Sequence, residues 1–325
     1  MQPAFSVIFL TTLIGAGQGL FLALYTGQVY VFFHLLPEPT DGRFYAIGSL
    51  IALLLLIGGL VASFFHLGHP ERAWRSAAKW RTSWLSREVI VLPAFMGVVF
   101  LYGVADSLGW HAPLVTFGTL TLDATMVLGV LGTVLCFALF ICTAMIYASL
   151  KFLQEWHSPL TVANYLLLGS ASGFTLATAY SAYAAPDLVG FYGEWAMVIT
   201  LLALMTRSAS LVRNARLKPK STLQTAIGVR HGQIAQKSQG LMGGSFNTRE
   251  FFHGKGADLL RSVKWVFLAL VFVLPLLLLA GGLASSISVL LSAAFLVQYL
   301  GLLAERWFFF VQVNHPQNLY YQTIS

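Results

Sequence analysis

FYAIGSLIALLLLIGGLVASFFHL, residues 44–67, runs for 24 positions without an Asp, Glu, Lys or Arg. A helix of ~20 apolar residues covers the hydrocarbon core of a bilayer. In lipid every backbone N–H and C=O must find a partner within the protein, so such a run is a helix. Seven comparable runs lie around it, at 5–34, 87–106, 120–150, 161–185, 191–213, 263–283 and 286–313. Only 10% of the 325 residues are charged, against about 25% in a soluble domain. The pattern predicts an all-α integral membrane protein: a bundle of eight transmembrane helices forming one domain over 1–325. A membrane barrel would show alternating strands of ~10 residues, and none appear. Helices one, four and eight exceed the length a bilayer needs and are expected to tilt or project. No internal repeat stands out.

Charge sets the expected orientation. Of 19 basic residues, seventeen fall on the second, fourth and sixth connections and their flanks. Arg43 is the one on an odd connection, and Arg306 lies within the eighth run. Lys and Arg stay cytoplasmic, so the even connections and both termini are expected in the cytoplasm. The net charge of +7 is thereby a matter of topology and protein partners, not of nucleic acid. The start, MQPAFSV, lacks the basic segment of a cleavable signal, so the first run is expected to remain as a helix.

Ionisable groups inside a span are costly and mark interior sites. Glu305 and Arg306 lie in the eighth run and read as a structural ion pair; neighbours on a helix do not face each other, so each is expected to pair with another helix. His66 closes the second run and Glu88 opens the third, both at the even-side edge of the bilayer. A His and a carboxylate there suit proton delivery to a bound quinone, which takes up two electrons and two protons. They also suit the helix dipoles, with His at a C-terminus and Glu at an N-terminus. Gln18, in GAGQGL, lies ~20 Å into the first helix. It reads as packing glue between close helices, or as a donor to a quinone carbonyl. Arg72, in the second connection, is a further quinone-site candidate. Tyr147 reads as an interfacial aromatic.

Other cofactor classes find no support. Cys136 and Cys142 are too few for an iron–sulfur cluster. His34, His66, His157, His231, His253 and His315 sit at helix edges or in loops, which argues against a bis-His haem and leaves mixed ligation open. No glycine-rich nucleotide motif is present, and no metal site is indicated. Two connections are longer than the rest. Residues 68–86 alternate cations with Trp74, Trp80 and Trp84, a pattern suited to partner docking or to anionic headgroups. Residues 214–262, about 49 in number, exceed a simple connection and carry Phe246, Phe251 and Phe252 among glycines. A docking surface is the favoured reading of that segment.

The string SFFHLGHPERAWRSAAKWRTSWLSREV, residues 63–89, resembles the second loop of the dimethyl sulfoxide reductase membrane-anchor family. His66, Leu67, Gly68, Pro70, Arg72, Ala73, Ser86 and Glu88 carry the likeness. The start MQPAFSVIFLTTLIGAGQG and the tail NHPQNLYYQ look like the branch that anchors sulfite-oxidising molybdoenzymes. The resemblance implies a three-subunit enzyme of the bacterial inner membrane, with a molybdopterin subunit, an iron–sulfur subunit and this multi-pass chain as anchor. It implies a quinone, ubiquinone or menaquinone, bound without a covalent link. It carries the family's quinone-site roles onto His66 and Glu88; Gln18 and Arg72 are added on the residue reading alone. With loop 2 expected in the cytoplasm, catalytic subunits docked there fit sulfite oxidation feeding electrons to quinone. The alternative within the family is a quinol-oxidising anchor of a dimethyl sulfoxide or polysulfide reductase. Outside it stand a transporter and an anchor without a quinone site.

Overall fold

In the computed structural model the described residues are all except 111, 114, 118, 119, 220, 236, 239–249, 252 and 321–325. Phe246 and Phe252 lie outside them. Eight long helices are present: α1 Phe5–Phe32, α2 Phe44–Phe64, α3 Trp84–Ser107, α4 Ala124–Ala148, α5 Pro159–Ala184, α6 Val189–Ala215, α7 Ala257–Ser285 and α8 Ser288–Val311. All are long and apolar enough to cross a bilayer. The fold class is as expected.

Their starts follow local chemistry. The Ser83 side chain accepts from Ser86 N–H at 3.4 Å, Asp123 from Met126 N–H at 2.8 Å, and Ser158 from Leu160 N–H at 3.2 Å. Each satisfies an N–H that the first helical turn leaves unpaired. Pro159 at the head of α5 has no N–H to leave unpaired.

Three local features differ from expectation. Residues 120–122 are not helical; Leu120–Leu122 pair antiparallel with Val115–Phe117 in a small hairpin ahead of α4. The sixth connection contains a short helix, Leu223–Ile227. Within it α7 already begins at Ala257, taking in Asp258, Arg261 and Lys264. Hydropathy marks where a helix leaves water, not where it starts, so charged projecting turns escape it.

α1 and α5 are the most buried spans and run side by side through the centre. A Cβ on Gly19 would lie 2.2 Å from Gly169 O, and one on Gly173 would lie 1.9 Å from Gly19 C. The two backbones touch, and only glycine fits between them. Five of twelve positions are identical between LIGAGQGLFLAL (13–24) and LLGSASGFTLAT (167–178), including both glycines of each G-x-x-x-G. The paired glycines of the two segments form the central crossing. α2 packs on α1 and α6 on α5, α4 and α8 touch both central helices, α3 joins α2 to α4, and α7 lies against α8 and α6.

α7 contains a π-helical stretch, Ala269–Val273, just ahead of Pro275. Proline removes the N–H that would bond the carbonyl four residues back, which is Val271. Gln298 Nε2 of α8 donates to that carbonyl at 3.2 Å. On the even-connection face, Arg213 Nη1 and Nη2 donate to Gln154 O and His157 O at 3.0 and 3.1 Å. The Met1 amine lies 3.4 Å from Val313 O. The chain start, the fourth and sixth connections and residues after α8 thus share one face.

A buried carboxylate cavity near the even-side rim

Glu88 is 8% exposed and sits one turn into α3. Thr143 of α4 donates to its Oε1 at 2.5 Å. Glu88 faces a small cavity whose polar lining comes from Thr11, Thr12 and Gln18 of α1, Thr143 of α4, Tyr165 and Ser172 of α5, and Arg306 of α8. As a water molecule measures it, the cavity is about 20 Å³, enough for about one ordered water.

One wall continues into a charged core. Arg207 of α6 and Glu305 of α8 are each 1% exposed, with Arg207 Nε 2.8 Å from Glu305 Oε1. Arg306, 4% exposed, brings its Nε to 3.6 Å from Glu305 Oε2 and lays its guanidinium 3.8 Å over the Tyr165 ring. Glu305 pairs with another helix, as expected. Two corrections follow. Arg207 is no rim cation but the buried partner of Glu305; its place beside a basic connection in the sequence concealed this. Arg306 does reach its neighbour Glu305, because a long guanidinium side chain can bend back along the helix surface.

Tyr147 is half-buried near the end of α4. It packs in an aromatic cluster with Trp156, Tyr165, Phe309 and Phe310, because the short fourth connection folds Trp156 inward, where its Nε1 donates to Phe309 O at 2.9 Å.

Of the four residues singled out from sequence, the cavity gathers Gln18 and Glu88. Gln18 Nε2 already donates to Cys136 O of α4 at 3.0 Å, which favours its reading as interhelical glue. His66 and Arg72 are exposed on the rim and do not line the cavity. Arg72 Nε lies 3.5 Å from Glu71. Partial burial still holds the His66 imidazole below its ordinary pKa by desolvation. Thr143 and Tyr165 were not foreseen; a hydroxyl inside a span is too common to single out. Among the described residues no cluster suited to a metal ion occurs.

The sequence profile of the DMSO reductase anchor subunit (DmsC) family matches residues 1–311. The chain belongs to that family. It is also 62% identical to a subunit of sulfite dehydrogenase from Allochromatium vinosum, over the full length of both chains. DmsC-family membership makes this multi-pass protein an anchor subunit of an oxidoreductase complex.

In this DmsC-family chain the second connection forms an exposed 3₁₀ stretch, Pro70–Lys79. Arg75 stacks on Trp74 and Arg81 on Trp80, both at 5.5 Å, and Arg87 on Trp84 at 4.2 Å. Arg87 also donates to Trp80 O and Arg81 O at 2.9 and 2.8 Å, pinning the loop to the head of α3. Trp74 is left 71% exposed. Phe251, from the sixth connection, packs against His315 at 4.8 Å between ring centroids.

Proposed function

We propose that this chain is the quinone-reducing anchor of a cytoplasm-facing sulfite dehydrogenase in the bacterial inner membrane. The observation that carries this is Glu88: a carboxylate nearly closed off from solvent, one turn from the rim, facing a water-sized cavity beside Arg306 and Tyr165. The extent and identity of the match to a sulfite dehydrogenase protein favour the sulfite branch.

The chemistry divides among subunits. Sulfite is oxidised on a molybdopterin partner. An iron–sulfur partner docks on loops 68–86 and 214–262, where cations gather and, in the first of them, Trp74 and Trp80 are exposed, and carries the electrons. Reduction of one quinone takes two electrons from that subunit and two protons from the even side. Glu88 supplies a proton at the carbonyl oxygen and is reprotonated through a water of the size the cavity admits. His66, neutral near pH 7 and open to the rim, relays protons from solvent. Arg306 opposes the negative charge that builds on the ring. Gln18 and Arg72 act at the margin: Gln18 fixes α1 against α4, and Arg72 contributes to the docking rim. A quinone ring is larger than the cavity, so binding moves the cavity wall. The basic even side faces the cytoplasm in this reading, with both termini.

The test is Glu88→Gln in the assembled complex. Sulfite-to-quinone turnover is expected to fall at least about a hundredfold, with sulfite oxidation by an artificial dye acceptor retained. Unchanged quinone turnover would remove Glu88 from the mechanism. The reverse flow, from quinol to a reductase, predicts a twin-arginine export signal on the catalytic partner.

A further inference from the structure

Beyond the cavity, and on the other side of the seam between α1 and α8, lies an apolar groove. It is lined by Phe5, Ile8 and Phe9 of α1, Val263 of α7, and Leu303 and Trp307 of α8, with a volume of about 330 Å³. Groove and cavity are adjacent in register. Ile8 lies one turn before Thr11 and Thr12 of the cavity, Leu303 follows Leu302, and Trp307 follows Arg306. The two spaces occupy opposite faces of the same seam.

The other cavity walls are tied more firmly. α1 and α5 meet backbone to backbone at glycines, α3 and α4 are joined by Glu88 and Thr143, and α5 and α8 by Tyr165 under Arg306. Among the described residues, the one side-chain hydrogen bond between helices α1 and α8 joins Thr12 Oγ1 and Tyr299 OH, at 3.3 Å. The seam is the wall that parts most readily.

We propose that this groove holds the isoprenoid chain of the quinone, and that the ring reaches Glu88 by parting α1 from α8 at Thr12 and Tyr299. This rests on the quinone reading of the cavity and adds the side from which the ligand comes. The groove offers almost no polar surface, as a hydrocarbon chain requires, and it is open on its outer side, from which a lipid-dissolved quinone would enter. Trp307 at its rim has the amphipathic ring that anchors such a mouth at the membrane interface.

The test uses the complete complex in lipid nanodiscs and a ubiquinone analogue carrying a diazirine on its isoprenoid chain. Photolabelled peptides are expected to contain Phe5–Phe9 and Leu303–Trp307, and excess long-chain quinone should suppress the label where phosphatidylglycerol does not. Filling the groove with Ile8→Trp and Leu303→Trp should cut this labelling severalfold and raise KM for long-chain quinone about tenfold, a loss of uniform binding. Label on α2 or α3 instead, with Glu88→Gln still blocking quinone turnover, overturns the groove assignment and leaves the cavity reading standing. Suppression by phospholipid to the same degree makes the groove a lipid site and also overturns it. No label anywhere on this subunit, together with a harmless Glu88→Gln, overturns both.

Discussion

Arg207 Nε and Glu305 Oε1 lie 2.8 Å apart in the interior, joining α6 to α8, and Arg306 adds a second buried cation at 3.6 Å. One carboxylate therefore serves two guanidinium groups. Removing it leaves two charges without a counter-ion, a loss of about 3–5 kcal/mol for breaking a buried pair. Glu305→Leu should lower the thermal midpoint of the detergent-solubilised complex by several degrees. Arg207→Met with Glu305→Leu should recover part of that loss. A midpoint in Glu305→Leu equal to the parent's would show that the triad does not hold the helices.

Thr143 is the hydroxyl donor to the Glu88 carboxylate. A hydrogen bond to a charged group is worth about 1.5–3 kcal/mol, and this one fixes where the carboxylate points. Thr143→Val should reduce kcat for quinone tenfold or more on that scale of about 1.5–3 kcal/mol, while Thr143→Ser restores most of it. Equal rates in the two variants would mean the hydroxyl positions nothing.

At Gly173 the expected damage is to assembly. Its Cβ would fall 1.9 Å from Gly19 C, in backbone that cannot move aside. Gly173→Ala should abolish recovery of a monodisperse subunit, measured by size-exclusion chromatography after solubilisation. Gly97→Ala, with nothing within 4 Å of the added carbon, is the control and should behave as the parent does.

His66 gives a pH dependence of defined sign. Desolvation lowers its pKa below the ordinary 6.5, so the folded protein binds fewer protons there than the unfolded chain. His66 therefore costs stability when it must protonate: stability rises as pH climbs from its folded pKa towards 6.5 and is level above. The same titration should give the pH profile of quinone turnover a break below 6.5. In His66→Gln that break should vanish. A break that persists there belongs to another group.

Sidedness has its own measurement. In a cysteine-free background, Gly42→Cys and Ser149→Cys place single thiols on an odd and an even connection. A membrane-impermeant maleimide added to intact cells should label position 42 and spare position 149. The opposite pattern would put the docking face outside the cytoplasm and end the sulfite dehydrogenase reading.

Eight spans, the basic face and the polar candidates within the spans were legible in the amino-acid sequence. Burying peptide groups in lipid leaves a chain few options, so runs of apolar residues declare helices on their own. Glu88 was legible because a carboxylate so close to a span must be accounted for. Less legible were the charged first turns of α7 and the hairpin before α4, where water satisfies the backbone equally well in several conformations.

Partners were what the bundle alone decided. Arg207 counts as a rim cation until α6 and α8 are brought together, and Gln18 is an amide of open purpose until Cys136 O is beside it. His66 and Glu88 are separated by a single loop in sequence, yet one faces solvent and the other a closed cavity. The glycines of 13–24 and 167–178 acquire meaning only because those segments touch. Hydropathy is a property of each residue taken singly, and it fixes which segments enter the membrane. Charge pairing, hydrogen bonding and close packing are properties of two residues at once, and distant residues meet only after the chain has folded.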